Sequence, residues 1–246
     1  MPIINRFFSP IFFNSYRSFS QTSLRSRFDL SLYLVTERKS VKNDADFYAR
    51  IQKGVEGGVT CVQLRDENED LRDTFRNAYR IKEMLESRGV PLIINNRVDV
   101  ALAVKAHGVH LGQKDFPVEE ARYLLGSRAI IGLTVDTLED IRIAEELDID
   151  YVGLHVLPSV STKPFSRKIW GIDGLMEARL HSRHRFVAIG GVHLTTLETV
   201  YSELNGGEKG DGVAMVGELW RGKNPYEVAK KIRASMIAIN SLKRVS

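Results

Sequence analysis

The sequence predicts an α/β protein built as a single (β/α)8 TIM barrel, on three observations. Short apolar, β-rich runs alternate with longer amphipathic ones eight times between Leu30 and the neighbourhood of the C-terminus. Eight units over roughly 215 residues approach the ~250-residue norm of a closed barrel, which leaves short loops and no inserted domain. The first strand also lacks the glycine-rich turn that a doubly wound open sheet, the main alternative, normally carries after it.

The first unit pairs a strand at Leu32 to Thr36 (LYLVT) with a helix at Asp44 to Glu56. The second joins Val59 to Leu64 (VTCVQL) to the long amphipathic stretch Asp70 to Arg88. Pro91 to Asn95 (PLIIN) then leads into Val98 to Ala106, and Gly108 to Leu111 (GVHL) into Val118 to Leu125. The fifth and sixth strands are Ala129 to Leu133 and Tyr151 to His155, with helices at Leu138 to Leu147 and Ile172 to Leu180. Phe186 to Ile189 precedes Thr195 to Leu204, and Gly212 to Val216 precedes Pro225 to Asn240. Strands apolar on both faces and separated by helices indicate a parallel sheet covered on its outside, because parallel strands need crossover helices to return the chain.

The 246 residues are 43% hydrophobic and 27% charged, which excludes a disordered or fibrous chain. The single cysteine, Cys61, can form neither an internal disulfide nor a cysteine metal cluster; it reads as core packing in a reducing compartment. A net charge of +4 suggests an anionic partner until the charges are located. Residues 1–27 carry four arginines and no acid, so the remaining chain balances 31 basic residues against 31 acidic ones. That balance argues against nucleic-acid binding, which needs a basic surface across the folded domain.

Residues 1–27, rich in arginine, serine and phenylalanine, have the composition of an organelle transit peptide and are set apart from the fold, which is expected over 28–246. Their apolar stretches are broken by Ser9, Pro10, Asn14 and Ser15, so they form no membrane span, and no membrane partner is expected. The expected compartment is a plastid or mitochondrion if this segment is a signal, and the cytoplasm if it is an extension without a targeting role. Homo-oligomerisation is left open.

Barrel chemistry belongs at the C-terminal ends of the strands. After the second strand, alternation puts Gln63, Arg65 and Glu67 on one side of the extended chain, with Arg65 able to grip an anion; the same run also reads as a solvated charge cluster. The third strand ends in Asn95 and Asn96, and the fourth runs into Asp115. Asp115 and the amide oxygen of Asn96 suit Mg²⁺, a cation that takes a few protein oxygens and leaves positions for water and phosphate. As turn and capping residues these side chains need no metal. Gly190 and Gly191 after the seventh strand, with Val216 and Gly217 after the eighth, let backbone N–H groups approach an anion, in the place where barrels often hold phosphate. The connection after the sixth strand carries Thr162 and Lys163, suited to further phosphate oxygens, and begins at His155, a candidate proton carrier. The other five histidines read as surface or structural.

Taken together, LYLVT (32–36), GGVTCVQLR (57–65), LIINNRVDVA (92–101), GVHLGQKD (108–115), IGLTVDT (131–137), STKP (161–164), VAIGG (187–191) and GVAMV (212–216) resemble the thiamine phosphate synthase family, in the family order. The resemblance implies a transferase that joins 4-amino-5-hydroxymethyl-2-methylpyrimidine diphosphate to thiazole phosphate with release of pyrophosphate, using Mg²⁺. It implies catalytic roles for Arg65, Thr134 and Lys163, and substrate contacts at Gln63, Arg65, Asn95, Thr134, Thr162, Lys163, Gly191, Val216 and Gly217. Asp115 becomes the magnesium ligand, with Asn96 a weak second.

Three positions depart from the family pattern. Glu67 stands where a lysine usually faces pyrophosphate, Asn96 replaces an aspartate, and His155 falls where Gly-Pro is usual. They point toward the related thiazole tautomerase, in which His155 would be the acid/base of a metal-independent proton transfer. A phosphate-binding barrel without turnover is a further alternative.

Overall fold

The computed structural model describes Arg25 and residues 28–66, 70–158, 169–204 and 210–243. Eight strands form a closed parallel barrel in which each pairs with the next and the last with the first. They are β1 (Leu32–Val35), β2 (Cys61–Leu64), β3 (Leu92–Asn95), β4 (Gly108–Leu111), β5 (Ile130–Thr134), β6 (Tyr151–His155), β7 (Arg185–Ile189) and β8 (Gly212–Met215). Around them lie α1 (Asp44–Glu56), α2 (Leu71–Glu86), α3 (Val98–Val104), α4 (Val118–Leu125), α5 (Leu138–Glu145), α6 (Gly171–Leu180), α7 (Leu194–Glu203), a short α8 (Gly217–Arg221) and α9 (Pro225–Lys243). No described helix is long and apolar enough to cross a membrane.

The expected units are all present, and their edges moved for local reasons. β2 begins at Cys61 because the N–H of Val59 is spent on Gly54 at 3.0 Å, in the turn that ends α1. Asp70 caps α2, its carboxylate accepting from the Arg72 N–H at 2.8 Å. β8 stops at Met215 because Val216 leaves the extended region (φ −110°, ψ −58°) to open α8, a helix with no counterpart in the sequence reading.

Strand alternation divides the apolar residues into two layers. One set, including Leu32, Leu34, Val62, Leu92, Ile94, Val109, Ile131 and Val152, packs outward against helix residues such as Phe47, Ile81, Ala144 and Leu197. The other set, Tyr33, Val35, Cys61, Ile93, Ile130, Tyr151, Val187 and Ala214, fills the barrel's inside, and Phe28 and Leu30 close its N-terminal end. The Arg185 guanidinium lies 3.9 Å from the centre of the Phe28 ring and donates to the Phe28 carbonyl at 3.1 Å. Arg25 adds an ion pair with Asp150 at 2.6 Å. The other residues of 1–27 lie outside the described residues.

Candidate active site

Followed from the N-terminal to the C-terminal end of each strand, the inward positions turn polar. Cys61 gives way to Gln63, Ile93 to Asn95, Gly108 to His110, and Gly132 to Thr134. Gln63 (5% exposed) and Thr134 (6%) are buried in the barrel mouth, so their polar atoms must find partners within it. The Gln63 amide Nε2 donates to Tyr33 Oη at 3.0 Å, and Tyr33 Oη lies 2.9 Å from Tyr151 Oη. Tyr151 Oη is 3.0 Å from His110 Nδ1, and His110 Nε2 is 2.8 Å from Thr134 Oγ1. Burial holds both phenols well above the ordinary tyrosine range, so each keeps its proton.

The rim is built on these strand ends. Arg65 is exposed at the mouth, its backbone fixed by an N–H bond to Thr36 Oγ1 at 3.1 Å. Asn95 is half-buried and Asn96 exposed; Asn96 adopts a left-handed φ of 62° while its N–H donates to the His110 carbonyl at 2.9 Å. A non-glycine residue held there marks local strain of the kind that accumulates at sites. Asp115 is half-buried and does not cap α4, which Pro117 precedes; Asp115 Oδ2 instead accepts from the Gly112 N–H at 2.6 Å. Gln113 reaches across to the Thr134 carbonyl at 2.7 Å.

At the opposite side of the mouth Gly190 (φ 83°) and Gly191 (φ 59°) turn the chain out of β7 in a conformation that disfavours other residues. A Cβ at Gly190 would sit 3.1 Å from His155 Nδ1, and one at Gly191 would sit 2.5 Å from Leu157 Cβ, so the turn rests directly on the end of β6. The start of α7 is filled from within: the Leu194 N–H donates to Glu218 Oε2 at 2.8 Å and the His193 N–H to Thr196 Oγ1 at 3.1 Å. An anion here would therefore meet the glycine turn rather than the helix start. α8, which begins at Gly217, is tied to the segment after β1 through Arg221, whose two nitrogens hold Glu37 at 2.6 and 2.7 Å and keep its carboxyl below the usual range.

Gln63, Arg65, Asn95, Asn96, Asp115, Thr134, His155, Gly191, Val216 and Gly217 thus share the C-terminal end of the barrel, whereas Glu67, Thr162 and Lys163 lie outside the described residues. Cys61 is wholly buried inside the barrel, and burial pushes its thiol up, in keeping with a packing role. His110, read with four other histidines as surface or structural, stands inside the barrel mouth. Its signal was available: it stands two residues after the inward Gly108, so alternation alone sends it inside. Among the described residues no group of three His, Cys, Asp or Glu side chains could hold a metal by itself. A cavity of about 650 Å³ lined by Phe28, Thr60, Pro91 and Arg233 belongs to the opposite, N-terminal end, away from these groups.

The family described as thiamine monophosphate synthase matches residues 32–219. A thiamine-phosphate synthase of Vibrio parahaemolyticus is 41% identical over 205 residues, covering 83% of this chain and 97% of the relative. One of Albidiferax ferrireducens is 41% identical over 212 residues, covering 85% and 93%. The solved thiamine phosphate pyrophosphorylase of Pyrococcus furiosus superposes with a TM-score of 0.75 at 27% identity, over 88% of this chain and 98% of that one.

Proposed function

The chain belongs to the thiamine monophosphate synthase family and has its transferase activity, and from that premise we propose how its residues divide the work of joining the pyrimidine diphosphate to thiazole phosphate. The observation that carries the reading is the buried Gln63 and Thr134 at a mouth rimmed by Arg65, Asp115 and a left-handed glycine turn, all within the matched span. Both substrates are anions with a flat ring, and the mouth offers anion contacts around its rim and a polar, water-excluding floor.

In this reading 4-amino-5-hydroxymethyl-2-methylpyrimidine diphosphate lies with its ring over Gln63 and its diphosphate toward Arg65, Asn95 and the segment of Thr162 and Lys163. The bond between its methylene carbon and the diphosphate oxygen breaks with both electrons leaving on oxygen. The thiazole nitrogen then supplies a pair to that carbon. No protein nucleophile is needed, so the residues act by alignment and by stabilising the departing charge. Arg65, Lys163 and the Thr134 hydroxyl meet the developing negative charge, while Gly191, Val216 and Gly217 bring backbone amides to the thiazole phosphate.

The donor set fits Mg²⁺. The Asp115 carboxylate is half-buried and fixed by Gly112, and Asn96 stands on the adjacent strand end with an amide oxygen, both hard ligands that leave positions for phosphate oxygens. When bound, the ion supplies positive charge to the leaving diphosphate. With one carboxylate, the site depends on the substrate to complete it.

The tautomerase and the non-catalytic barrel draw no support, since the matched family and the named relatives are synthases. Comparing Asp115→Ala with His155→Ala tests the division of roles. Asp115→Ala should lower Mg²⁺-dependent pyrophosphate release by about 100-fold or more, the effect of losing several kcal/mol of charge stabilisation. His155→Ala should cost less than about tenfold. A reversed order, with His155→Ala eliminating a metal-independent isomerisation of the thiazole, would restore the tautomerase reading.

A further inference from the structure

We propose that His110 is a positioning residue: it holds the Thr134 hydroxyl as a hydrogen-bond donor toward the barrel mouth and, through Tyr151 and Tyr33, locks the Gln63 amide with its carbonyl oxygen facing the same mouth. The chain Gln63–Tyr33–Tyr151–His110–Thr134 crosses the barrel interior in four contacts of 2.8–3.0 Å. It joins two residues that the synthase reading places against substrate, and the proposal rests on that reading only for what the mouth binds.

The direction of every bond follows from one end. Gln63 Nε2 donates to Tyr33 Oη, so the Tyr33 proton is available to Tyr151 Oη, its neighbour at 2.9 Å. Tyr151 Oη then accepts from Tyr33 and gives its own proton to His110 Nδ1. An imidazole that accepts at Nδ1 and is neutral carries its proton on Nε2, and that N–H points at Thr134 Oγ1. The Thr134 oxygen is thereby occupied as an acceptor from below, and its hydrogen is directed elsewhere. Burial keeps the proton on both phenols, so each is present to be passed along the chain.

The register gives the chain its orientation along the barrel axis. Tyr33 is level with Cys61, one inward layer below Gln63, so an amide whose Nε2 reaches down to Tyr33 turns Oε1 toward the strand C-termini. His110 is level with Gly132, one layer below Thr134, and reaches up to it. The floor of the mouth therefore presents one acceptor and one donor of set polarity before any ligand arrives. Reversing the Gln63 amide would reverse all four bonds, putting the imidazole proton on Nδ1 and making Thr134 the donor to His110. Packing holds the linking rings: Tyr151 stacks on His110 at 5.5 Å, and Gly153 leaves room for the imidazole, since a Cβ there would lie 3.1 Å from His110 Cε1.

The direct test is the imidazole tautomer, read from long-range proton–nitrogen correlations of the full chain labelled with ¹⁵N-histidine, with the His110 signals assigned by their loss in His110→Asn. The expected result is a proton on Nε2 and none on Nδ1, with that preference lost in Tyr151→Phe, which keeps the ring and removes the hydroxyl. A proton on Nδ1, or on both nitrogens, overturns the proposal. A kinetic cycle supplies the second reading. Tyr151→Phe and Thr134→Val should each lower kcat/KM for the pyrimidine diphosphate by about tenfold, and together by much less than the product of the two. Multiplicative losses would show that His110 does not act through Thr134. If the unaltered protein releases no pyrophosphate, the synthase reading fails, and the tautomer still decides the polarity of the chain.

Discussion

The Tyr151 ring lies over Gly132 so closely that a single added methyl there would stand 2.1 Å from ring carbon Cζ. Gly132 on β5 is level with Tyr151 on β6, and the missing side chain is the space that the phenol occupies inside the barrel. Gly132→Ala should therefore push the ring off His110 and Tyr33, costing about 1–3 kcal/mol of stability by overpacking. Thermal unfolding should show the loss, at about 2–4 °C per kcal/mol for a chain of this size. Activity should fall further than stability accounts for. An unchanged Tm with full activity would mean that the ring has another place to go.

Asp211 should be the costliest surface-remote carboxylate to remove. It is 2% exposed, accepts from the Phe186 N–H at 2.6 Å and pairs with Arg179, whose guanidinium also lies 3.7 Å from the Phe186 ring centre. Asp211→Ala leaves a partly buried arginine and a strand N–H uncompensated, and the expected cost is about 3–5 kcal/mol in denaturant unfolding. A loss under about 1 kcal/mol would show that water replaces the carboxylate.

His107 should make the protein acid-sensitive at the barrel's N-terminal end. Its Nδ1 accepts from the Leu92 N–H at 2.9 Å, which requires the neutral ring, and burial lowers its affinity for a proton from the ordinary 6.5. The unfolded chain then binds more protons than the folded one, so stability is full above about 6.5 and declines as pH falls below it. Urea unfolding from pH 7.5 to 5.5 should show this slope, and His107→Gln should flatten it. A slope that persists in the variant would assign it to another group.

Glu218→Ala should weaken the side of the mouth proposed to hold phosphate without touching its floor. The carboxylate holds the Leu194 N–H and so joins the segment after β8 to the start of α7. Without it, the glycine turn and Gly217 lose their mutual support. We expect a raised KM for thiazole phosphate, an unchanged KM for the pyrimidine diphosphate, and a stability cost of about 1 kcal/mol, as for a lost helix cap. Equal effects on both substrates would contradict this division.

The barrel was legible because eight buried parallel strands and their helices each leave a period that survives in the residues alone. The placement of Gln63, Arg65, Asn95, Asp115 and the glycines at the C-terminal end of the barrel was legible, since it follows from the strand period and order. What escaped was set by tertiary geometry. Alternation from Gly108 sends His110 inward, but its two partners come from other strands, 24 and 41 residues away. Similarly, α8 follows from Val216 leaving the extended region and from the Glu37–Arg221 pair that reaches the segment after β1. Neither contact has a local sequence signal.

The proposed reaction joins a pyrimidine diphosphate to a thiazole phosphate at the barrel mouth. The most direct measurement is the initial rate of pyrophosphate release by the purified chain with Mg²⁺ and each substrate alone or both together, the organic product being identified by mass. Pyrophosphate and thiamine phosphate should form in equal amounts when both are supplied, and neither product when either substrate is omitted. Sustained turnover of one substrate alone, or no thiamine phosphate from the pair, would contradict it.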